Sequence, residues 1–299
     1  MNIFNHAKKG TVDFYNLTTL QGVSTEDIIE VISTATELKN KRAVQENSIL
    51  LKDKYVLLVT KPNLPRSSIT FQLAIKELSG SPVVTSMHGE ELENLLNDKH
   101  YVKALTSFGL SAVLVCTSKT SDSNIFIDAV DVPVINATAV KSPCEALSAL
   151  MTIGEHFNDF KNLNVTIIGS SLEGDNSLAI GLVKLGANVT FLTSDDQAIT
   201  EDLQNYLTQF SYVTTTSDKD SALKNADVVY FLSKDEKISV LEEDLLKNEK
   251  DFIVLSSLPV DTSMASEGVF EGKNSLVTKQ TENLLHVGKA VLTLTCLKK

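Results

Sequence analysis

Ser142-Pro143-Cys144-Glu145 places a hydroxyl, a thiol and a carboxylate within four residues, after the apolar run Val132-Pro133-Val134-Ile135-Asn136 and before a helical pattern from Ala146 to Phe157. Such a tetrapeptide can be a capping box. Ser142 caps, Pro143 fits the first helical position, and Glu145 can reach back to the cap N–H. It can also do chemistry, because a thiol at a helix N-terminus has a lowered pKa and is a candidate nucleophile. A second cluster, Lys61-Pro62-Asn63-Leu64-Pro65-Arg66-Ser67-Ser68, joins an apolar run to another helical pattern. An arginine and two hydroxyls at a helix N-terminus make an anion seat, or else a capped helix with an exposed arginine. A third, Gly169-Ser170-Ser171-Leu172-Glu173-Gly174-Asp175, lies where doubly wound folds bind phosphates, with Asp195 and Asp196 after the following strand. It is neither G-x-G-x-x-G nor a P-loop, so a turn with a helix cap competes with a nucleotide site.

The elements that must position these residues follow from periodicity. Ser24 to Arg42 reads as a capped amphipathic helix with Ile28, Ile29, Ile32, Ala35 and Leu38 on one face. Strands are predicted at 55–59, 82–85, 112–115 and 132–135, with helices at 68–78, 91–106 and 125–130 between them. A long helix opening at Pro143 leads to a second series. Its strands are 165–169, 188–192, 227–232 and 252–255, and its helices are 176–185, 199–210, 241–247 and 278–297. Short apolar strands alternating with helices imply parallel sheets covered on both faces. The predicted fold is α/β, with two doubly wound parallel-sheet domains linked by the long helix. The first domain spans 1–141 and the second 142–299, with the last helix, 278–297, returning to the first.

Bulk properties restrict the partners. The 299 residues are 42% hydrophobic and 22% charged, which supports buried cores. The net charge of −11 argues against nucleic acid or an anionic membrane as the main partner. The three cysteines, 116, 144 and 296, form no disulfide framework or zinc pattern, and neither a metal nor a cofactor is expected. The N-terminal residues lack a signal-peptide pattern and no apolar run is long enough to span a bilayer. These features predict a soluble protein of a reducing, cytoplasmic compartment.

Several stretches, in order over nearly the whole chain, carry a resemblance to the aspartate and ornithine carbamoyltransferases. Lys61-Pro62 through Phe71-Gln72-Leu73-Ala74 is similar to the family's Lys-Pro-Ser-Thr-Arg-Thr-Arg-Val-Ser-Phe-Glu, with one residue inserted before Arg66. Gly89-Glu90 resembles a Gly-Glu loop, and 132–157 resembles Val-Pro-Val-Ile-Asn-Gly followed by His-Pro-Cys-Gln and a helix. Asn176-Ser177, Leu258-Pro259 and Glu282-Asn283-Leu284-Leu285-His286 match later motifs, and the ornithine branch is the nearer. The resemblance implies a trimer with active sites between subunits, carbamoyl phosphate on the first domain and an amino acid on the second. It makes Arg66, Ser67, Ser68, His88, Asn136, Leu258 and Pro259 the candidates for binding substrate or an anion.

The departures fall where the chemistry should be. The resemblance places a family arginine at Cys116, the histidine at Ser142, the glutamine at Glu145 and a last-helix arginine at Leu284. Pro65 stands where another residue could give phosphate an N–H, and has none. The ornithine-type amino-acid loop has no counterpart after Asp227-Val228-Val229-Tyr230. Transfer of a carbamoyl group from a compact anion needs positive groups at phosphate and carbonyl, each worth a few kcal/mol in the transition state. The expectation is a degenerate carbamoyltransferase homologue, a pseudoenzyme serving as a binding, regulatory or structural subunit. It would assemble as a homotrimer or with an active family member and take a small anionic or amino-acid ligand. The alternative is an active transferase with an altered substrate, and a weaker one is a nucleotide-binding α/β protein.

Overall fold

The computed structural model describes residues 9–86, 94, 98–117, 122–137, 142–169, 176–194, 199–232, 238–246, 248 and 250–297. The chain divides into two compact units. One comprises Ile3–Ser148 with Glu282–Lys299, and the other Ala149–Thr281.

The first unit contains α1 (Thr25–Ala43), β1 (Tyr55–Thr60), α2 (Pro65–Glu77), β2 (Ser81–Ser86), α3 (Lys99–Thr106), β3 (Ala112–Cys116), α4 (Asp122–Ile127) and β4 (Val134–Asn136). It also holds the opening turns of α5 (Pro143–Phe157) and most of α11 (Val277–Cys296). Its four strands are all parallel, in the order β2-β1-β3-β4. β1 and β3 are almost wholly buried, as expected for apolar strands with neighbours on both sides, whereas β2, at the edge, is half exposed. Leu57, Val59, Val113, Val115, Val134 and Phe126 pack into the core on one face.

Ser24 caps α1 by accepting the Asp27 N–H at 3.1 Å. The buried face differs from the predicted apolar stripe. Ile29 is half-buried, while the carboxylates of Asp27 and Glu30 are buried. Glu30 accepts the N–H groups of Lys9 and Gly10 at 2.7 and 3.0 Å, and Asp27 accepts that of Asp13 at 3.0 Å. These carboxylates are buried because they hold the N-terminal segment in place. α2 starts three residues before the predicted Ser68, because Pro65 takes the first helical position, where its missing N–H is harmless. The helix predicted over 91–106 is not continuous: residue 94 is helical, but Asp98 is extended and starts α3 by accepting the His100 and Tyr101 N–H groups at 3.0 and 3.1 Å, a side-chain cap that ends any preceding turn.

The second unit contains β5 (Asn164–Ile168), α6 (Ser177–Lys184), β6 (Asn188–Leu192), α7 (Glu201–Leu207), β7 (Val213–Thr216), α8 (Lys219–Leu223), β8 (Val228–Phe231), α9 (Glu242–Leu246), β9 (Ile253–Ser256) and α10 (Glu267–Glu271). Its parallel sheet has the order β7-β6-β5-β8-β9. β7, α8 and α10 were not predicted. β7 is a half-exposed edge strand built on three threonines, so it carries no apolar run. In both sheets the strand order reverses once, between β1 and β3 and between β5 and β8, and ligands of doubly wound folds bind outside the carboxyl ends of such strands.

Candidate anion site in the first unit

The register brings the ends of three strands of the first sheet together. Thr60 of β1 is paired with Cys116 of β3, and Val115 is paired with Asn136 of β4. β1 leads through Lys61–Leu64 into α2, so Arg66 emerges in the first turn of that helix. Arg66 Nη1 lies 3.4 Å from Glu145 Oε2, and their side chains are 23% and 5% exposed. Arg66 Nη2 is buried and has no hydrogen-bond partner among the described residues. The guanidinium is therefore engaged on one side by the chain's own carboxylate.

Glu145 comes from the start of α5. Ser142 Oγ accepts the Glu145 N–H at 3.1 Å, and the Ser142 carbonyl accepts the Ala146 N–H at 3.0 Å. Ser142 is thus the predicted helix cap. A carboxylate in the first turn also interacts favourably with the helix dipole. An incoming anion would meet the same helix end already occupied by this carboxylate.

The thiols do not behave as the helix-terminus argument predicts. Cys144 and Cys116 are fully buried. Burial pushes the Cys144 thiol well up, and the Glu145 charge adds to the rise. Cys116 is also raised, first by burial and then by Cys144. Desolvation of the thiolate outweighs the helix dipole, so neither is an activated nucleophile at neutral pH. Both should react with a charged thiol reagent far more slowly in the native chain than after unfolding, each unit of rise removing about tenfold of the thiolate. Comparable labelling rates in the two states would overturn this. Cys296 is pushed up from the ordinary 9.0 to about 11, mainly by burial. A raised folded-state pKa contributes stability that is complete below about 9.0 and lost as pH rises through about 11, so denaturation midpoints should fall over that window. Replacing Cys296 with Ala should reduce the fall.

The remaining candidates have mixed surroundings. Ser67 is buried, and Ser68 Oγ accepts Gln72 Nε2 at 2.9 Å, a bond along α2 itself. Asn136 is fully buried and its Nδ2 donates to the Thr18 carbonyl at 3.1 Å, tying down the N-terminal segment. Leu284 is buried in α11, next to Asn283, whose Oδ1 accepts Lys39 Nζ at 2.7 Å. His88 lies outside the described residues, as do the segment 170–175 of the glycine loop, Asp195 and Asp196. Leu258 and Pro259 belong to the second unit, follow β9 and are joined by a cis peptide bond. Ser257 beside them is buried and shares a 3.0 Å hydrogen bond with the Tyr230 hydroxyl. That contact was not anticipated, because 27 residues separate its partners and only the β8–β9 pairing aligns them.

The structure therefore brings Arg66, Ser142, Cys144 and Glu145 together at one end of the first sheet, with Cys116 beside Cys144. Among the described residues no group of three or more histidine, cysteine or carboxylate side chains could hold a metal ion. No described helix is long and apolar enough to cross a membrane.

Residues 15–155 match the model of the aspartate/ornithine carbamoyltransferase carbamoyl-P binding domain, and residues 161–295 match that of the Asp/Orn binding domain. The ornithine carbamoyltransferase of Methanococcus vannielii is 30% identical over 93% of this chain and 97% of its own length. That of Nostoc punctiforme is 30% identical over 93% and 95%. Among solved structures, ornithine carbamoyltransferase from Pyrococcus furiosus aligns with a TM-score of 0.83 at 24% identity, covering 93% of this chain and 96% of the other. Aspartate transcarbamoylase from Trypanosoma cruzi, solved with carbamoyl aspartate and phosphate, aligns at 0.82 and 18%, covering 96% and 98%. At these identities the structural likeness speaks to the fold.

Proposed function

The chain belongs to the aspartate/ornithine carbamoyltransferase family, and from that premise we propose that it is a member that has lost the parent reaction and acts as a binding, regulatory or structural subunit. The observation that carries this reading is the Arg66–Glu145 pair at 3.4 Å. Carbamoyl transfer stabilises negative charge on phosphate and on the carbonyl oxygen, and that requires cationic or N–H groups facing the anion. Here the surviving arginine faces a carboxylate supplied by the chain. Cys116 is an uncharged thiol where the resemblance places an arginine, Ser142 is occupied as a helix cap where it places a histidine, and Leu284 is a buried aliphatic residue where it places another arginine. These residues keep the helix and the core while removing the charges that the reaction uses.

A homotrimer, or a mixed oligomer with an active relative, in the cytoplasm is the assembly this reading supposes, with no cofactor. Purified protein incubated with carbamoyl phosphate and ornithine, aspartate or other amines should form no ureido product above the uncatalysed rate. Turnover in the ordinary enzyme range, about 1–1000 per second, would overturn the proposal.

One observation favours the second reading, an active transferase with an altered acceptor. The buried Arg66 Nη2, unpartnered among the described residues, leaves donor capacity for an anion. Stabilisation in a thermal-shift assay by carbamoyl phosphate, abolished by Arg66→Ala, together with product formation from a new amine, would establish that reading.

A further inference from the structure

A second cationic cleft lies at the opposite end of α2. It has a volume of about 390 Å³ and lies among the C-terminal ends of α1 and α2 and the middle of α11. Lys41, Arg42, Lys76 and Lys289 line it together with the carboxylates Glu46 and Glu77. Cations therefore outnumber carboxylates by two on a chain whose net charge is −11.

The details show which charges are already used. Glu77 is shared, with Oε1 2.9 Å from Arg42 Nε and Oε2 2.9 Å from Lys289 Nζ. Lys289 is a charged side chain only 4% exposed, and its other contact is the Leu38 carbonyl at 3.3 Å. Lys41 is held by Glu37 at 2.9 Å and Glu46 at 3.9 Å. Lys76 makes no side-chain hydrogen bond or ion pair among the described residues, and Arg42 makes none beyond its Nε contact. Basic residues at helix C-termini commonly satisfy terminal carbonyls. Here backbone N–H groups perform that task. Val44 and Glu46 donate to Asn40 and Lys41, while Ser79 and Gly80 donate to Lys76 and Ile75. The free donors of Arg42 and Lys76 are thus available to something else. Ser48 Oγ, also in the lining, is buried without a hydrogen-bond partner among the described residues.

We propose that this cleft is a binding site for a small phosphate monoester, held by Arg42, Lys76 and Lys289. An arginine fork beside two lysines suits a compact dianion with several acceptor oxygens. The volume exceeds that of a bare phosphate, and the neutral polar groups of Gln45, Asn47 and Ser48 suit a hydroxylated body. Glu77 keeps Lys289 and Arg42 in place, so the cationic face is formed before the ligand arrives. Glu77 stands eleven residues along α2 from Arg66, roughly 16 Å at 1.5 Å per residue, which makes this site separate from the one described above.

Calorimetric titration of the full chain with glycerol 1-phosphate, with glycerol as the uncharged control, tests the proposal. The monoester should bind and glycerol should not. Lys76→Gln, and Arg42→Gln with Lys76→Gln, should weaken binding tenfold or more, whereas Arg66→Ala and the exposed second-unit control Lys224→Gln should leave it unchanged. Lys76 has no side-chain partner to lose among the described residues, so the single variant keeps the test decisive if the double variant fails to fold. Absence of binding by the wild-type chain, undiminished affinity in Lys76→Gln, or loss only in Arg66→Ala would overturn it. The Arg66→Ala arm separates failure here from failure of the reading of the first site.

Discussion

Glu145→Gln should convert a closed anion seat into an open one, tightening the binding of inorganic phosphate and carbamoyl phosphate by roughly 10–100-fold. In the wild-type chain any anion approaching Arg66 competes with the Oε2 of Glu145, 3.4 Å from Nη1 and tethered by the α5 N-terminus. A tethered competitor has a high effective concentration, and it repels an incoming phosphate as well as displacing it. Glutamine preserves shape and first-turn position while removing the charge. A hydrogen bond to a charged group is worth about 1.5–3 kcal/mol, which sets the expected range. The same change should lower stability by about 1–3 kcal/mol, because it leaves a mostly buried guanidinium without its carboxylate, and the residual 23% exposure of Arg66 moderates the loss. Calorimetric titration and denaturant unfolding of both proteins measure the two effects. Identical phosphate affinities in wild type and variant would show that Glu145 does not close the site.

Phe71→Ala should cost about 3–5 kcal/mol of stability, the range for removing a fully buried aromatic side chain. Phe71 lies on α2, five residues after Arg66, against the α11 residue Gly288. A Cβ at Gly288 would come within 3.0 and 3.1 Å of Phe71 Cε1 and Cδ1 and 3.4 Å of Ala74 Cβ. The absence of a side chain there lets α11 approach α2 closely. Gly288→Ala should therefore overpack the contact and destabilise by about 1–3 kcal/mol. In a Phe71→Leu background, where the ring atoms are gone, the same alanine should cost less. Urea unfolding of the two singles and the double gives the coupling. Strict additivity would mean that Phe71 and Gly288 do not meet as described.

Much of the architecture was legible from local pattern. The strands of both sheets, β7 excepted, are short apolar runs and most helices between them are periodic, so type and order followed from the alternation, while the five-residue α8 and α10 are too short to show a period. The resemblance agreed with it along nearly the whole chain. What local pattern could not supply was the use of polar residues in non-local contacts. Asp27 and Glu30 lie outside the predicted apolar stripe of α1, yet they are buried on backbone N–H groups 14 to 21 residues away. β7 was missed because an edge strand half exposed to water does not need apolar residues. Cys144 was expected to be acidic from its place at a helix N-terminus, but complete burial reverses the direction.

The tetrapeptide 142–145 marks the boundary between the two kinds of information. Its sequence determined a capped helix start, because Ser142, Pro143 and a first-turn carboxylate act over a single turn and need no other part of the chain. The resemblance also sets Ser142 and Glu145 where the family carries a histidine and a glutamine. Only the tertiary structure decided what Glu145 does, since its partner Arg66 lies 79 residues earlier and arrives through the parallel pairing of β1 with β3 and of β3 with β4. Short-range capping is written in adjacent residues. Charge neutralisation and desolvation depend on what folding packs around them, and those effects decide whether this helix end faces a ligand or the chain's own carboxylate.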